Sequence, residues 1–141
     1  KTTKAYAGVV KSYLGLSELN KAQEFILNLP GDIVGKKELI PVKAQVELAS
    51  QAESYGDTSK LRQLVLDQPE NHQARMELAV SLFSKGNAEE AIELLLEILK
   101  NDLHWNEGSA RLQLIKLLDS MDANDSLALK GRRKLSSIIF A

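Results

Sequence analysis

The stretch FSKGNAEEAIELLLEILKND, residues 83–102, joins a Gly86-Asn87 break to two carboxylates, Glu89 and Glu90, and then to an apolar-rich run from Ala91 to Leu99. Asn87 suits a helix N-cap, and carboxylates in the turn that follows meet the positive end of the helix dipole. Within the run only Glu93 and Glu97, one turn apart, are polar. A helix that covers a core from one side needs a single apolar stripe. This arc is wider, so the helix is expected to pack between two neighbours.

Helical periodicity extends in both directions from this point, and no strand alternation interrupts it. Tyr6, Val9, Val10 and Tyr13 share one face before a break at Gly15-Leu16-Ser17. Leu19, Ala22, Ile26 and Leu29 then form a stripe that runs to Pro30. Leu39, Val42, Val46 and Ala49 make a third, with Pro41 either in its first turn or kinking it. Asp57 can cap a short helix carrying Leu61, Leu64 and Val65, which Gln68-Pro69 ends. Asn71 can cap the next, with Met76, Leu78, Ala79, Leu82 and Phe83 apolar. Beyond the opening stretch, Ala110, Leu114, Leu118 and Met121 form a stripe, and a last helix runs from Asp125 to the end with Leu127, Leu135, Ile138 and Ile139. The expectation is an all-α array of about eight helices in antiparallel pairs joined by short turns.

Composition narrows the function. Lys and Arg number 18 against 19 Asp and Glu, a net charge of −1, which argues against a whole-domain basic footprint for nucleic acid. Cysteine is absent, excluding disulfides, thiol redox chemistry and cysteine-held metals within these residues and fitting a reducing compartment. No apolar run approaches the roughly 20 residues of a membrane span. The chain opens on KTTKAYAGVV without an initiator Met, so a piece of a longer protein is expected.

Catalytic signals are missing. No phosphate-binding glycine loop, dinucleotide motif, nucleophile elbow or His-Glu-x-x-His pattern occurs. Asp102, His104 and Glu107 cluster before the seventh helix, but at no established ligand spacing, and Trp105 points to a packed corner. His72, at a helix start, is expected to be solvated. Neither an enzyme, a cofactor site nor a metal site is expected.

The residues of 72–103 resemble the 34-residue tetratricopeptide unit, which needs small side chains where its two helices cross. Leu78-Ala79, the Gly86-Asn87 turn and Ala91 take the corresponding places. Residues 5–30 repeat the pattern with Ala22 at the crossing, about two periods before Ala91; the unit around Pro41 to Pro69 is degenerate. A tetratricopeptide-like α-solenoid, a single domain over 1–141, is therefore the expected fold.

Such arrays often receive peptides on their first helices, here Gln73, Met76, Val80, Phe83 and Ser84, with Lys4 and Lys11 at similar places in the first unit. The groove positions Met76, Val80 and Phe83 are apolar, so that face either takes a hydrophobic segment or is covered by the protein itself. The cost of exposing apolar surface favours the cover. The C-terminal LKGRRKLSSIIFA places Lys130, Arg132, Arg133 and Lys134 before Leu135, Ile138, Ile139 and Phe140. It reads either as a capping helix with cations in its latter half or as an amphipathic element offered to a partner. Gly131 within it costs about 1 kcal/mol relative to Ala, which suggests close packing.

The order Asn87-Ala88-Glu89-Glu90-Ala91, Lys100-Asn101-Asp102-Leu103, Gly108-x-x-Arg111, Asp125-Ser126-Leu127-Ala128 and Arg132-Arg133-Lys134-Leu135 resembles the C-terminal half of bacterial chaperedoxins, most strongly from Pro69 onward. In that family a thioredoxin-fold domain precedes a tetratricopeptide-like domain. The resemblance implies a cytoplasmic co-chaperone with a role in redox homeostasis, which holds unfolding clients and passes them to chaperones, including the chaperonin. It also implies an upstream thioredoxin-fold domain, and a partner contact on Leu135, Ile138, Ile139 and Phe140 with Arg132 and Arg133 beside them. The redox role does not carry over to residues without cysteine. A generic scaffold that assembles another complex is the alternative.

Overall fold

The computed structural model of the chain describes residues 2–141. Among them are nine helices and no strand: α1 (Thr2–Gly15), α2 (Leu19–Leu27), α3 (Gly31–Val34), α4 (Ile40–Tyr55), α5 (Thr58–Asp67), α6 (His72–Ser84), α7 (Ala88–Asn101), α8 (Trp105–Asp119) and α9 (Ser126–Ile139). The eight expected helices are present. The addition is α3, a single turn after Pro30, too short to carry a periodic signature. Pro41 lies in the first turn of α4, where its missing N–H costs nothing, and α4 runs on unbroken to Tyr55.

Side-chain caps set three of the starts. Asp57 accepts from Ser59 N, Asn71 from Ala74 N, and Asp125 from both Leu127 N and Ala128 N. Asn87 holds the N-cap position of α7 as expected, but its side chain makes no capping hydrogen bond. The orphaned N-terminal amides of α7 instead meet the charges of Glu89 and Glu90 in its first turn.

Helix pairing follows the repeat. α1 packs on α2, α5 on α6, and α6 on α7, while α7 also contacts α8 and α9. Ala22 and Ala91 are fully buried, as the crossing positions require. The wide arc of α7 is spent as anticipated: Ala91, Ile92, Leu95, Leu96, Ile98 and Leu99 are all buried, with Glu89, Glu90, Glu93 and Glu97 outside.

Two apolar clusters result, and α4 belongs to both. The smaller gathers Ala7, Val10, Ala22, Leu39, Val42 and Val46, with Phe25 set against Tyr6 and Tyr13 at 6.0 and 6.3 Å between ring centroids. The larger begins at Leu48 and extends through α6, α7 and α8 to Leu135 of α9. One continuous helix thus ties α1 and α2 to the α5–α9 stack.

Candidate functional site

Binding surfaces on a helical array are defined by what the packing leaves uncovered, and the α6 face is covered. Met76 is 6% exposed and Val80 0%, with Phe83 half-buried; Gln73 and Ser84 lie outside. α6 contacts α4, α5 and α7, and seven of its thirteen residues are buried. Beside it α4 and α8 join directly. Gln45 Nε2 donates to the Ser120 carbonyl at 2.8 Å, Lys116 Nζ lies 3.2 Å from Glu47, and Gln113 Nε2 donates to Gln51 Oε1 at 2.8 Å. As α4 is followed forward these partners run backward along α8, so the two helices lie antiparallel. A ligand reaching Met76 and Val80 in this arrangement has to part packed helices. Lys4 and Lys11 are exposed on α1, which packs on α2 and α4 in the smaller cluster, and the structure does not bring them together with the α6 residues.

The direction of α8 comes from its first turn. Asn106, Glu107 and Gly108 hold φ of 48°, 57° and 81°, a left-handed turn before the right-handed helix resumes. Such a conformation costs a non-glycine residue about 1–2 kcal/mol. Trp105, just before it, is half-buried against the larger cluster and meets the edge of His72 at 5.7 Å. His72 is therefore half-buried against the indole, contrary to its expected solvation, because Trp105 at the start of α8 packs on the start of α6. Asp102 accepts from the His104 backbone N–H at 3.3 Å, a local turn. No group of three or more His, Cys, Asp or Glu among the described residues is arranged to hold a metal ion.

The C-terminal helix presents a different surface. α9 lies on α7 and α8, anchored by the Asp125 cap and by Gly131, whose missing side chain admits Leu118 and Ile92. Leu135 is buried, Ile138 and Ile139 are half-buried against the larger cluster, and Phe140 is 82% exposed. Arg132 pairs with Asp119 at 3.1 Å and Lys134 with Glu93 at 2.7 Å, two bridges that fasten α9 to its neighbours. Arg133 has no ion-pair partner among the described residues. With Lys100, Lys134, Ser137 and Ile138 it lines a shallow hollow of about 290 Å³. The apolar face of α9 is thus directed into its own core, and what reaches solvent is Phe140 at its tip and the cation Arg133 on its outer side.

The remaining charges belong to the exterior. Glu90 accepts from Arg62 of α5 through both oxygens, at 2.7 and 3.2 Å. That hydrogen bond holds the Glu90 carboxyl below the ordinary carboxylate range, against slight desolvation, and raises the Arg62 guanidinium. Both side chains are nearly half exposed, so this is a surface bridge that steadies the start of α7 and not an acid poised for catalysis. The seam residues Gln45, Glu47, Gln51, Gln113 and Lys116 went unforeseen. Their only sequence signal is polar residues recurring along one side of two otherwise apolar helices.

Comparison with known proteins agrees with this architecture. A tetratricopeptide-repeat family model matches residues 51–140, from the second half of α4 to the residue after α9. An uncharacterised protein of Haemophilus influenzae is 33% identical over 132 residues, covering 92% of this chain, while the chain spans 59% of that protein's length. The crystal structure of a domain of unknown function from Vibrio parahaemolyticus superposes with a TM-score of 0.55 at 27% identity, covering 94% of this chain and 77% of that one. No helix is long and apolar enough to cross a membrane among the described residues. Paired helices, small crossing residues and the family match lead to one conclusion: the chain belongs to the tetratricopeptide-repeat family, whose arrays serve as scaffolds for binding other proteins.

Proposed function

We propose that this chain is the protein-binding module of a cytoplasmic folding helper, acting on unfolding clients and docking to a chaperone through the tip of α9. The carrying observation is Phe140: a large apolar side chain left 82% exposed at the end of a helix that is otherwise well fastened. Ile138 and Ile139 extend that apolar edge, while Leu135 and Arg132 hold the helix beneath it. Aromatic and arginine side chains together are the usual anchors of protein interfaces. The resemblance of the Asp125–Leu135 segment to chaperedoxins supplies the chaperone link and the upstream thioredoxin-fold domain. The residues 1–141 form the binding domain of that larger protein.

Co-elution of the purified chain with a bacterial chaperonin on size exclusion tests this reading. Phe140→Asp changes only an exposed side chain and is expected to keep its melting temperature while losing co-elution. Undiminished co-elution of the folded variant overturns the docking assignment. A chain that binds no chaperonin and fails to suppress aggregation of a heat-unfolded client is a scaffold for some other complex.

A further inference from the structure

We propose that the hollow where Tyr13 of α1 meets α2 is a binding site for a small organic cation of the alkylguanidinium type. It shares no residue with the α9 tip and does not depend on the docking role assigned there.

Lys21, Glu24, Phe25 and Asn28, spaced to share one face of α2 and its C-cap, line the hollow together with Tyr13. Its volume of about 380 Å³ lies within the usual range for ligand sites. Aromatic residues make up only 5% of the chain, yet two of its three tyrosines and one of its three phenylalanines gather here. The Tyr13 and Phe25 rings stand 6.3 Å apart with 65° between their planes, and both are half-buried, so they form two fixed walls of a corner. Tyr6 meets Phe25 at 6.0 Å and steadies it. The face of an aromatic ring is the negative part of its quadrupole and attracts a cation.

Charge selects the same class of ligand. Glu24 is exposed in the last turn of α2, where the negative end of the helix dipole disfavours a carboxylate, and no basic residue stands in that turn. Lys21, one turn earlier, gives its ammonium to Glu18 at 3.2 Å. Glu24 has no ion-pair partner among the described residues. The hollow therefore carries an unanswered negative charge beside two aromatic rings. A guanidinium answers both: it is weakly hydrated, stacks on an aromatic face, and offers a fork of N–H donors to the Glu24 carboxylate and the Asn28 side-chain oxygen. A quaternary ammonium has no donor for those oxygens, and a primary ammonium is more strongly hydrated.

NMR titration of the chain with butylguanidinium is the test, with butylurea as the neutral isostere and tetramethylammonium as the cation without donors. The expected result is saturable shifts of the Tyr13 and Phe25 ring and Asn28 side-chain resonances, with a Kd of about 1–10 mM. Butylurea and tetramethylammonium should each bind about fivefold more weakly. Glu24→Gln, a surface change, should keep the melting temperature and cut the preference for butylguanidinium over butylurea to about twofold or less. Phe140→Asp should leave the titration unchanged, and Glu24→Gln should leave chaperonin co-elution unchanged, so either site can fail without the other. Equal affinity for butylguanidinium and butylurea, an undiminished preference in Glu24→Gln, or shifts that leave both rings unmoved overturns the proposal.

Discussion

Gly131 marks the closest approach of α9 to the core: a methyl group placed there would lie 3.0 Å from Leu118 Cδ2 and 3.4 Å from Ile92 Cγ2. Leu118 is fully buried and Ile92 nearly so, which leaves neither much room to yield. Gly8, on the exposed side of α1, has nothing within 4 Å of the same position. The two glycines therefore respond oppositely to alanine. Gly8→Ala gains most of the helix-propensity difference, about 0.5–1 kcal/mol in urea denaturation. Gly131→Ala loses that gain to overpacking and ends about 1 kcal/mol less stable than the parent. The cost of a glycine inside a helix suggests close packing at Gly131 from sequence, but the same signal at Gly8 has no such contact behind it. Which side chains Gly131 admits is not readable, since Leu118 and Ile92 reach it from two other helices. His72 teaches the same lesson: its place at a helix start suggests water, and only the tertiary fold sets Trp105, 33 residues on, against it.

Helix starts differ in what holds them, and the differences are measurable. Asp125 accepts from two amides of α9, whereas Asn87 caps α7 in position alone. Asp125→Ala is accordingly expected to cost about 1 kcal/mol in thermal or urea melts, while Asn87→Ala stays within a few tenths. What steadies α7 is its charge, including the bridge from Arg62 to Glu90. Because that bridge depresses the Glu90 carboxyl in the folded state, its stabilisation is present at neutral pH and is lost as pH falls through the lowered value. Arg62→Ala should thus be less stable than the parent by no more than about 0.5–1 kcal/mol at neutral pH. The two denaturation curves should converge on acidification. A gap that widens in acid would contradict the sign. Element identity was largely legible, since the 3.6-residue period and the turn residues agree over eight of the nine helices. The exception at α3, Gly31–Val34, is a turn too short to show a period.

At the scale of the molecule the chain is a stack of helix pairs whose two apolar clusters share α4 and whose α6 face is closed beside an α4–α8 seam. The covered alternative for that face followed from the cost of apolar exposure. The means of covering it did not, because Gln45, Glu47, Gln51, Gln113 and Lys116 meet only through the reversed direction of α8. Closure moves the binding question from the α6 face to the periphery, where Phe140 stands exposed at the end of α9. Hydrogen exchange of the chain alone and with the chaperonin tests this most directly. The account predicts slow exchange across the α6 amides of residues 76–83, unchanged by the partner, with new protection confined to residues 135–141. Protection gained on α6 with none at the α9 end would contradict it.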